Sequence, residues 1–370
     1  MTPRERIDRI LKGQDTDRPA FSFWYHFQDE NEPPETHARN TLDFHRRLRT
    51  DLVKVMSDYP YPKPPSGPAS LQEEADPFPR QVRALELIRD GLGGRAHFVE
   101  TVFNPWNQAG KVFGKAELQR WKAEDPAGLL RALDIIARSE ANHARRAIAA
   151  GASGVFLAID NAQPDTLSRE EYRKFSEPFD RMVVEAVRQA PLNILHLHGD
   201  RVYLAAFYRG WPAAAISYST HATGVPIAEV RSRFDGVLMG GLDEVNFRSL
   251  TPEQMKEQWQ AAQDQAGRRF LLAPGCSVPD ETADEELLRL AQFPDEPGVG
   301  EALTRLVRAE AAPRLRFAVR RADRVDPSPP GGPERGGGHR RTVDQGRRQR
   351  QRLDQREGRP VPALPPLLGH

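Results

Sequence analysis

The sequence predicts an α/β fold, a (β/α)8 TIM barrel, on three observations. Eight short β-branched or aromatic runs alternate with helical stretches, which implies right-handed crossovers and a parallel sheet. Eight such units in about 290 residues match the size of a closed barrel. The residues just past the runs are polar or ionisable while the runs are apolar, as in barrels that carry their chemistry on the loops entering the helices. An open doubly wound sheet is the alternative. No Gly-x-Gly-x-x-Gly turn follows any of the runs, which removes the best reason to prefer it.

Each element has a local reason. Thr2 is a good N-cap, Pro3 suits the first helical position and Glu5 can reach back to the cap, so a short helix spans Thr2–Leu11 and Gly13 ends it. Strands are expected at Ala20–Tyr25, Leu52–Met56, Phe98–Val102 with its flanks, Val155–Ile159, Ile194–Leu197, Ala215–Tyr218, Gly236–Met239 and Phe270–Ala273. Helical patterns lie between them at Thr36–Leu48, Pro79–Arg89, Gly128–Ala149, Arg169–Gln189, Val225–Phe234, Pro252–Ala266 and Glu281–Leu290. The barrel is therefore placed in residues 1–291. Residues 292–325 hold one further amphipathic helix, and 326–370 read as a disordered Arg/Pro/Gly-rich tail, too poor in apolar residues to offset its ordering entropy.

Charge divides the chain. Its 53 Lys+Arg nearly cancel 52 Asp+Glu, but the last seventy residues hold 16 Arg and no Lys, including the run Arg347-Arg348-Gln349-Arg350-Gln351-Arg352. An acidic body with a basic, solvated extension is expected, and not a nucleic-acid surface. One cysteine cannot form an internal disulfide, which favours a reducing, cytoplasmic setting. No apolar run of about 18 residues occurs and the start lacks a signal peptide's apolar stretch, so a membrane is not expected as a partner.

The strand ends supply the candidate site. Two imidazoles at i and i+2, His196 and His198, leave one strand on the same face, and the lone thiol, Cys276, arrives from the end of another. Three soft ligands around one point outline an open zinc site, whose fourth position is kept for water or substrate. Asp58 and Asp160 are the catalytic candidates; the other reading of each is a cap on the helix that follows. His26, Asn161, His221 and Asp243 are substrate-binding candidates at strand ends, with Trp24 as a pocket wall. Asp243 could equally cap a helix or orient an imidazole.

Several stretches together resemble the uroporphyrinogen decarboxylase superfamily, which also contains the corrinoid- and zinc-dependent methyltransferases. They are Thr2-Pro3-Arg4-Glu5-Arg6 running to Asp17-Arg18-Pro19, Asp51-Leu52-Val53-Lys54-Val55-Met56-Ser57-Asp58, and Gly151-Ala152-Ser153-Gly154-Val155-Phe156 leading to Asp160. Further on come Leu167-Ser168-Arg169-Glu170-Glu171-Tyr172 with Pro178, His196-Leu197-His198-Gly199, Gly240-Gly241-Leu242-Asp243 and Pro274-Gly275-Cys276. The resemblance implies a (β/α)8 barrel and two chemistries. In the decarboxylase branch Asp58 would stabilise the cation formed as a porphyrinogen acetate loses carbon dioxide, with no cofactor. The arginines that hold substrate carboxylates in that branch are replaced here by Phe23-Trp24-Tyr25-His26-Phe27-Gln28-Asp29-Glu30, which would repel a polycarboxylate. In the methyltransferase branch a His-x-Cys after strand five and a Cys after strand eight bind zinc, which lowers the pKa of a thiol that takes a methyl group from a methyl-corrinoid. Here His196, His198 and Cys276 occupy those places, one thiolate being replaced by an imidazole. The expectation is therefore zinc-assisted methyl transfer, with metal-free decarboxylation as the alternative. The expected partners are a small-molecule substrate, a corrinoid protein and a second copy of the chain.

Overall fold

Apolar side chains on both faces of short strands leave no solvent face, so the sheet must be covered outside and filled inside. The computed structural model describes residues 1–286 apart from positions 30, 58, 280, 281 and 284. Eight parallel strands form one sheet: β1 (Ala20–Phe21), β2 (Leu52–Val55), β3 (His97–Phe103), β4 (Val155–Ile159), β5 (Ile194–Leu197), β6 (Ala215–Tyr218), β7 (Val237–Leu242) and β8 (Phe270–Pro274). Their order is β1-β8-β7-β6-β5-β4-β3-β2, the sequential order of a nearly closed (β/α)8 barrel. At the seam between β1 and β2, the Asp51 N–H donates to the Phe21 carbonyl at 2.8 Å and the Ser22 hydroxyl to the Leu52 carbonyl at 2.8 Å.

Around the sheet run α1 (Pro3–Leu11), α2 (Pro34–Leu48), α3 (Pro79–Leu92), α4 (Pro105–Phe113), α5 (Lys115–Glu124), α6 (Pro126–Ala149), α7 (Arg169–Phe175), α8 (Glu177–Glu185), α9 (Thr220–Thr223), α10 (Ile227–Arg231) and α11 (Pro252–Ala266). The Thr2–Glu5 capping box forms as expected. Ile7 and Ile10 of α1 share one buried cluster with Ala20, Leu52, Val99, Leu192, Ile194, Ala215, Val237 and Leu271, which closes the N-terminal end of the barrel. Among the described residues no helix is long and apolar enough to cross a membrane.

Strands β4, β5 and β6 have the expected bounds; β7 runs to Leu242 rather than ending at Met239, the helix expected over Val225–Phe234 is only Ile227–Arg231 because Pro226 is extended at its cap, and two larger departures have physical causes. The expected strand Ala20–Tyr25 stops at Phe21: its partner β8 ends on Pro274, which has no N–H to carry the ladder toward Phe23. The single helix expected over Arg169–Gln189 is two, α7 and α8, because Pro178 starts a new first turn and Ser176 leaves the helical region at φ −133°. Helices α4 and α5 were not expected; Asn104 caps the first by accepting the Asn107 N–H at 3.2 Å. The expected helix Glu281–Leu290 falls mostly, and the segments 292–325 and 326–370 wholly, outside the described residues.

Candidate metal centre

Side-chain parity along β5 decides the centre. His196 points into the barrel and is buried. His198 lies two residues on and one turn of pleat nearer the mouth, where the strand has ended. Cys276 follows β8 by two residues, across the turn at Gly275. The ligand atoms of His196, His198 and Cys276 all lie within 4.8 Å of one another, and no other group of three or more such residues does so among the described residues.

The donor set fits zinc. Bonds of about 2.0–2.3 Å to nitrogen and sulfur in a tetrahedron put neighbouring donors about 3.3–3.8 Å apart, so the trio needs to contract by only about 1 Å. His196 Nδ1 lies 3.1 Å from the Ser217 hydroxyl, which leaves Nε2 for a metal and fixes the ring as outer hydrogen bonds of zinc ligands do. Beneath it, Trp24 and Phe156 wall the ring at 6.1 and 4.8 Å between centroids. The open side faces a cavity of about 590 Å3 lined by His198, Cys276, Ser219, Glu244, Val245 and Val278, among others.

Electrostatics bind the three residues together without a metal. Burial pushes the Cys276 thiol up, but hydrogen bonds to His196 and His198, and their charge, override it and bring the pKa to about 4. His198 is raised, first by its bond to Cys276 against burial, then by the negative charges of Asp160 and Glu244. Burial lowers His196. The chain's single thiol makes this directly measurable. In chelator-treated protein, alkylation of Cys276 by iodoacetamide should be flat from about pH 6 to 9, whereas a thiol of pKa 9.0 gains about tenfold per pH unit over that range. A steep rise toward pH 9 in the wild type would show that the imidazoles do not hold a thiolate; His198→Ala should restore that rise.

The other candidates are distributed more widely than the sequence suggested. Asp160 sits at the end of β4, 3.8 Å from Lys115 Nζ, and lines a second cavity of about 270 Å3 with Trp106 and Gln119. Asn161 is turned the opposite way. It accepts from Asn104 Nδ2 at 2.8 Å and donates to the Ser176 hydroxyl at 2.8 Å, in a buried network with Asp180 and Tyr172. Burial pushes Asp180 up to about 7 despite hydrogen bonds from Asn104, Tyr172 and Ser176. His221 lines a third cavity of about 310 Å3, with Nε2 3.3 Å from the Gly241 carbonyl and Nδ1 3.9 Å from Asp243. Asp243 caps the turn after β7 by accepting the Val245 and Asn246 N–H groups, so it serves as cap and imidazole neighbour together. Trp24 is buried barrel core, its carbonyl accepting the Val278 N–H at 3.2 Å. His26 is half-buried in the loop after β1. Asp58 lies outside the described residues. Sequence reasoning missed Ser217 and Glu244. Serine at the interior position of β6 beside His196 is readable once strand order is known, and Glu244 follows Gly240-Gly241-Leu242-Asp243 by one residue.

A family model described as uroporphyrinogen decarboxylase (URO-D) matches residues 60–296. The chain belongs to the uroporphyrinogen decarboxylase family. Within this enzyme superfamily it is similar to a methylated-thiol–coenzyme M methyltransferase of Methanosarcina mazei, at 26% identity over 231 residues that cover 59% of this chain and 61% of that protein. It thus spans less than two thirds of that relative's length. It is also similar to the methylcobamide:CoM methyltransferase MtaA of Methanosarcina barkeri, at 24% identity over 251 residues, covering 64% of this chain and 70% of that protein. Among solved structures, a methyltransferase from Methanosarcina mazei superposes with a TM-score of 0.64 at 18% identity over 79% of this chain and 98% of the other. A B12-independent methionine synthase from Shewanella sp. W3-18-1 gives 0.52 at 11% identity, covering 75% and 88%. Both establish the shared barrel fold of the family member.

Proposed function

We propose that this family member transfers a methyl group from a methyl-corrinoid to a thiol, with zinc held by His196, His198 and Cys276. The observation that carries the reading is the convergence of two imidazoles and one thiolate at the mouth of the barrel, open to a cavity of about 590 Å3. The names of the relatives, a methylcobamide:CoM methyltransferase and a methylated-thiol–coenzyme M methyltransferase, support the two substrate classes. When bound, zinc supplies acidification of a coordinated thiol at neutral pH. The chain's own residues do the rest. His196, braced by Ser217, and His198 present neutral nitrogens; Cys276 contributes one negative charge; Gly275 and Ser219, close against each other beside the thiol, keep that part of the mouth small. In the reaction the thiol sulfur bonds to the methyl carbon, the cobalt–carbon bond breaks with its electron pair left on cobalt, and the thiol proton goes to solvent. Asp160, held beside Lys115 and close enough to bias His198, is the carboxylate this reading assigns to the mouth's electrostatics. A thiolate site that must stay reduced suits the cytoplasm, and the partners are a small thiol and a corrinoid protein.

The test is demethylation of methylcobalamin by the zinc-loaded protein with 2-mercaptoethanesulfonate as acceptor, followed by corrinoid absorbance, alongside zinc analysis of the purified chain. About one zinc per chain and metal-dependent demethylation are expected. A wild-type protein that holds no stoichiometric zinc yet decarboxylates a porphyrinogen would replace this reading with the metal-free one through Asp58.

A further inference from the structure

Among the described residues, Glu244 is the one buried carboxylate at the mouth that no role yet accounts for. It is 8% exposed and lines the same cavity as His198 and Cys276. Its Oε2 accepts the Gly275 N–H at 3.0 Å, one residue before the thiol. The contact is built into the turn: a Cβ at Gly275 would lie 2.6 Å from that same oxygen and 2.3 Å from the Ser219 Cβ, so any other residue there would push the carboxylate and the strand-six end apart. The other described acids near the mouth are committed or solvated. Asp160 faces Lys115 at 3.8 Å, Asp243 accepts three hydrogen bonds from Val245 and Asn246, and Asp200 is 63% exposed.

Charge gives this geometry a purpose. Two neutral imidazoles and one thiolate leave a divalent cation with one unit of positive charge, in a site where His196 is buried, Cys276 half-buried and His198 exposed at the mouth. On the buried His196 side an uncompensated charge is unfavourable, and a buried carboxylate hydrogen-bonded to the residue before the thiol offsets it. Glu244 is not among the donors that lie within 4.8 Å of one another, so it acts from outside the ligand set.

We propose that Glu244 is a positioning residue: it supplies the second negative charge of the metal centre and holds the Pro274-Gly275-Cys276 turn so that the thiol meets both imidazoles. The inference rests on the zinc-centre reading given above. It predicts a separation of two effects. Glu244→Gln keeps an oxygen to accept the Gly275 N–H but removes the charge. Glu244→Ala removes both.

The full-length wild type and both variants are titrated with Zn2+ in competition with a chromophoric chelator, and with Co2+ while the thiolate-to-cobalt charge-transfer band is recorded. Glu244→Gln should bind Zn2+ about 10–100-fold more weakly than wild type with its Co2+ band intact. Glu244→Ala should lose affinity and also lose or shift the band. Wild-type Zn2+ affinity in Glu244→Gln overturns the charge role, and an unchanged Co2+ band in Glu244→Ala overturns the turn-holding role. A wild type that takes up neither metal overturns the zinc reading and this inference with it, an outcome distinct from the other two.

Discussion

Cys276→Ala should lower bound zinc from about one per chain to a small fraction, with affinity reduced by more than about a hundredfold. The size follows from what the residue does. It is the only thiolate in the chain, so its loss removes both the softest donor and the only negative charge inside the trio whose donors lie within 4.8 Å. His198→Ala should cost less, because His196 and Cys276 remain and water can enter from the cavity side. His196→Ala lies between. Its ring also fills space against Trp24 and Phe156, so the variant loses packing as well as a donor, and its thermal stability should fall with its zinc content. Inductively coupled plasma analysis and chelator competition on the three variants read these outcomes. Unchanged zinc in Cys276→Ala would exclude the trio as the binding site, whatever the activity.

Much of the barrel was legible because its middle strands have unambiguous ends. Val155–Ile159 is apolar on both faces, Ile194–Leu197 and Ala215–Tyr218 are apolar but for His196 and Ser217, and all three are bounded by Gly154, Asn193 and Ala214 on one side and by polar or small residues on the other. The aromatic run Phe23-Trp24-Tyr25 misled for a reason local pattern does not contain, the missing N–H of Pro274 on a strand some 250 residues away. The trio was readable from the i, i+2 rule and two strand ends alone. The same rule separates Asp160 from Asn161. Ala158 shares the interior register of His196, so Asp160 continues inward while Asn161 turns out toward Ser176 in the α7–α8 break. Treating the pair as one strand-end unit overlooked that parity. The place of Glu244 beside a family motif was visible, but its contact with Gly275 was not, since that depends on how the turn after β7 meets the turn after β8.

The family motifs at the start of the chain mark a second point, and here the expected effect is on stability. Arg6, Asp17, Arg18 and Asp51, which lie in stretches that carry the resemblance, form one ion network at the N-terminal end of the barrel. Asp51 is its centre. Fully buried, it accepts from the Arg6 guanidinium, from both terminal nitrogens of Arg18 at 2.7 and 3.1 Å, and from the Phe21 N–H at 3.0 Å. With its own N–H bonded to the Phe21 carbonyl, it ties β2 to β1 where no ladder joins them. Asp51→Ala should therefore destabilise the barrel by about 3–5 kcal/mol, because Arg6 at 2% exposure keeps only Asp17 as a charged partner, with the Met1 carbonyl, and the Phe21 N–H is left without its carboxylate. Arg6→Met should cost less, about 1–3 kcal/mol, since Arg18 still neutralises Asp51. Urea unfolding reads both, with an unchanged slope required for the comparison. Equal costs, or an Asp51→Ala variant within about 0.5 kcal/mol of wild type, would show that the seam is held by packing alone. The consequence reaches the metal centre through β1: its end sets Trp24, whose ring walls His196 and whose carbonyl holds Val278 two residues past the thiol. A loosened seam should thus weaken zinc binding in Asp51→Ala at temperatures well below its unfolding midpoint, although no residue of the trio has changed.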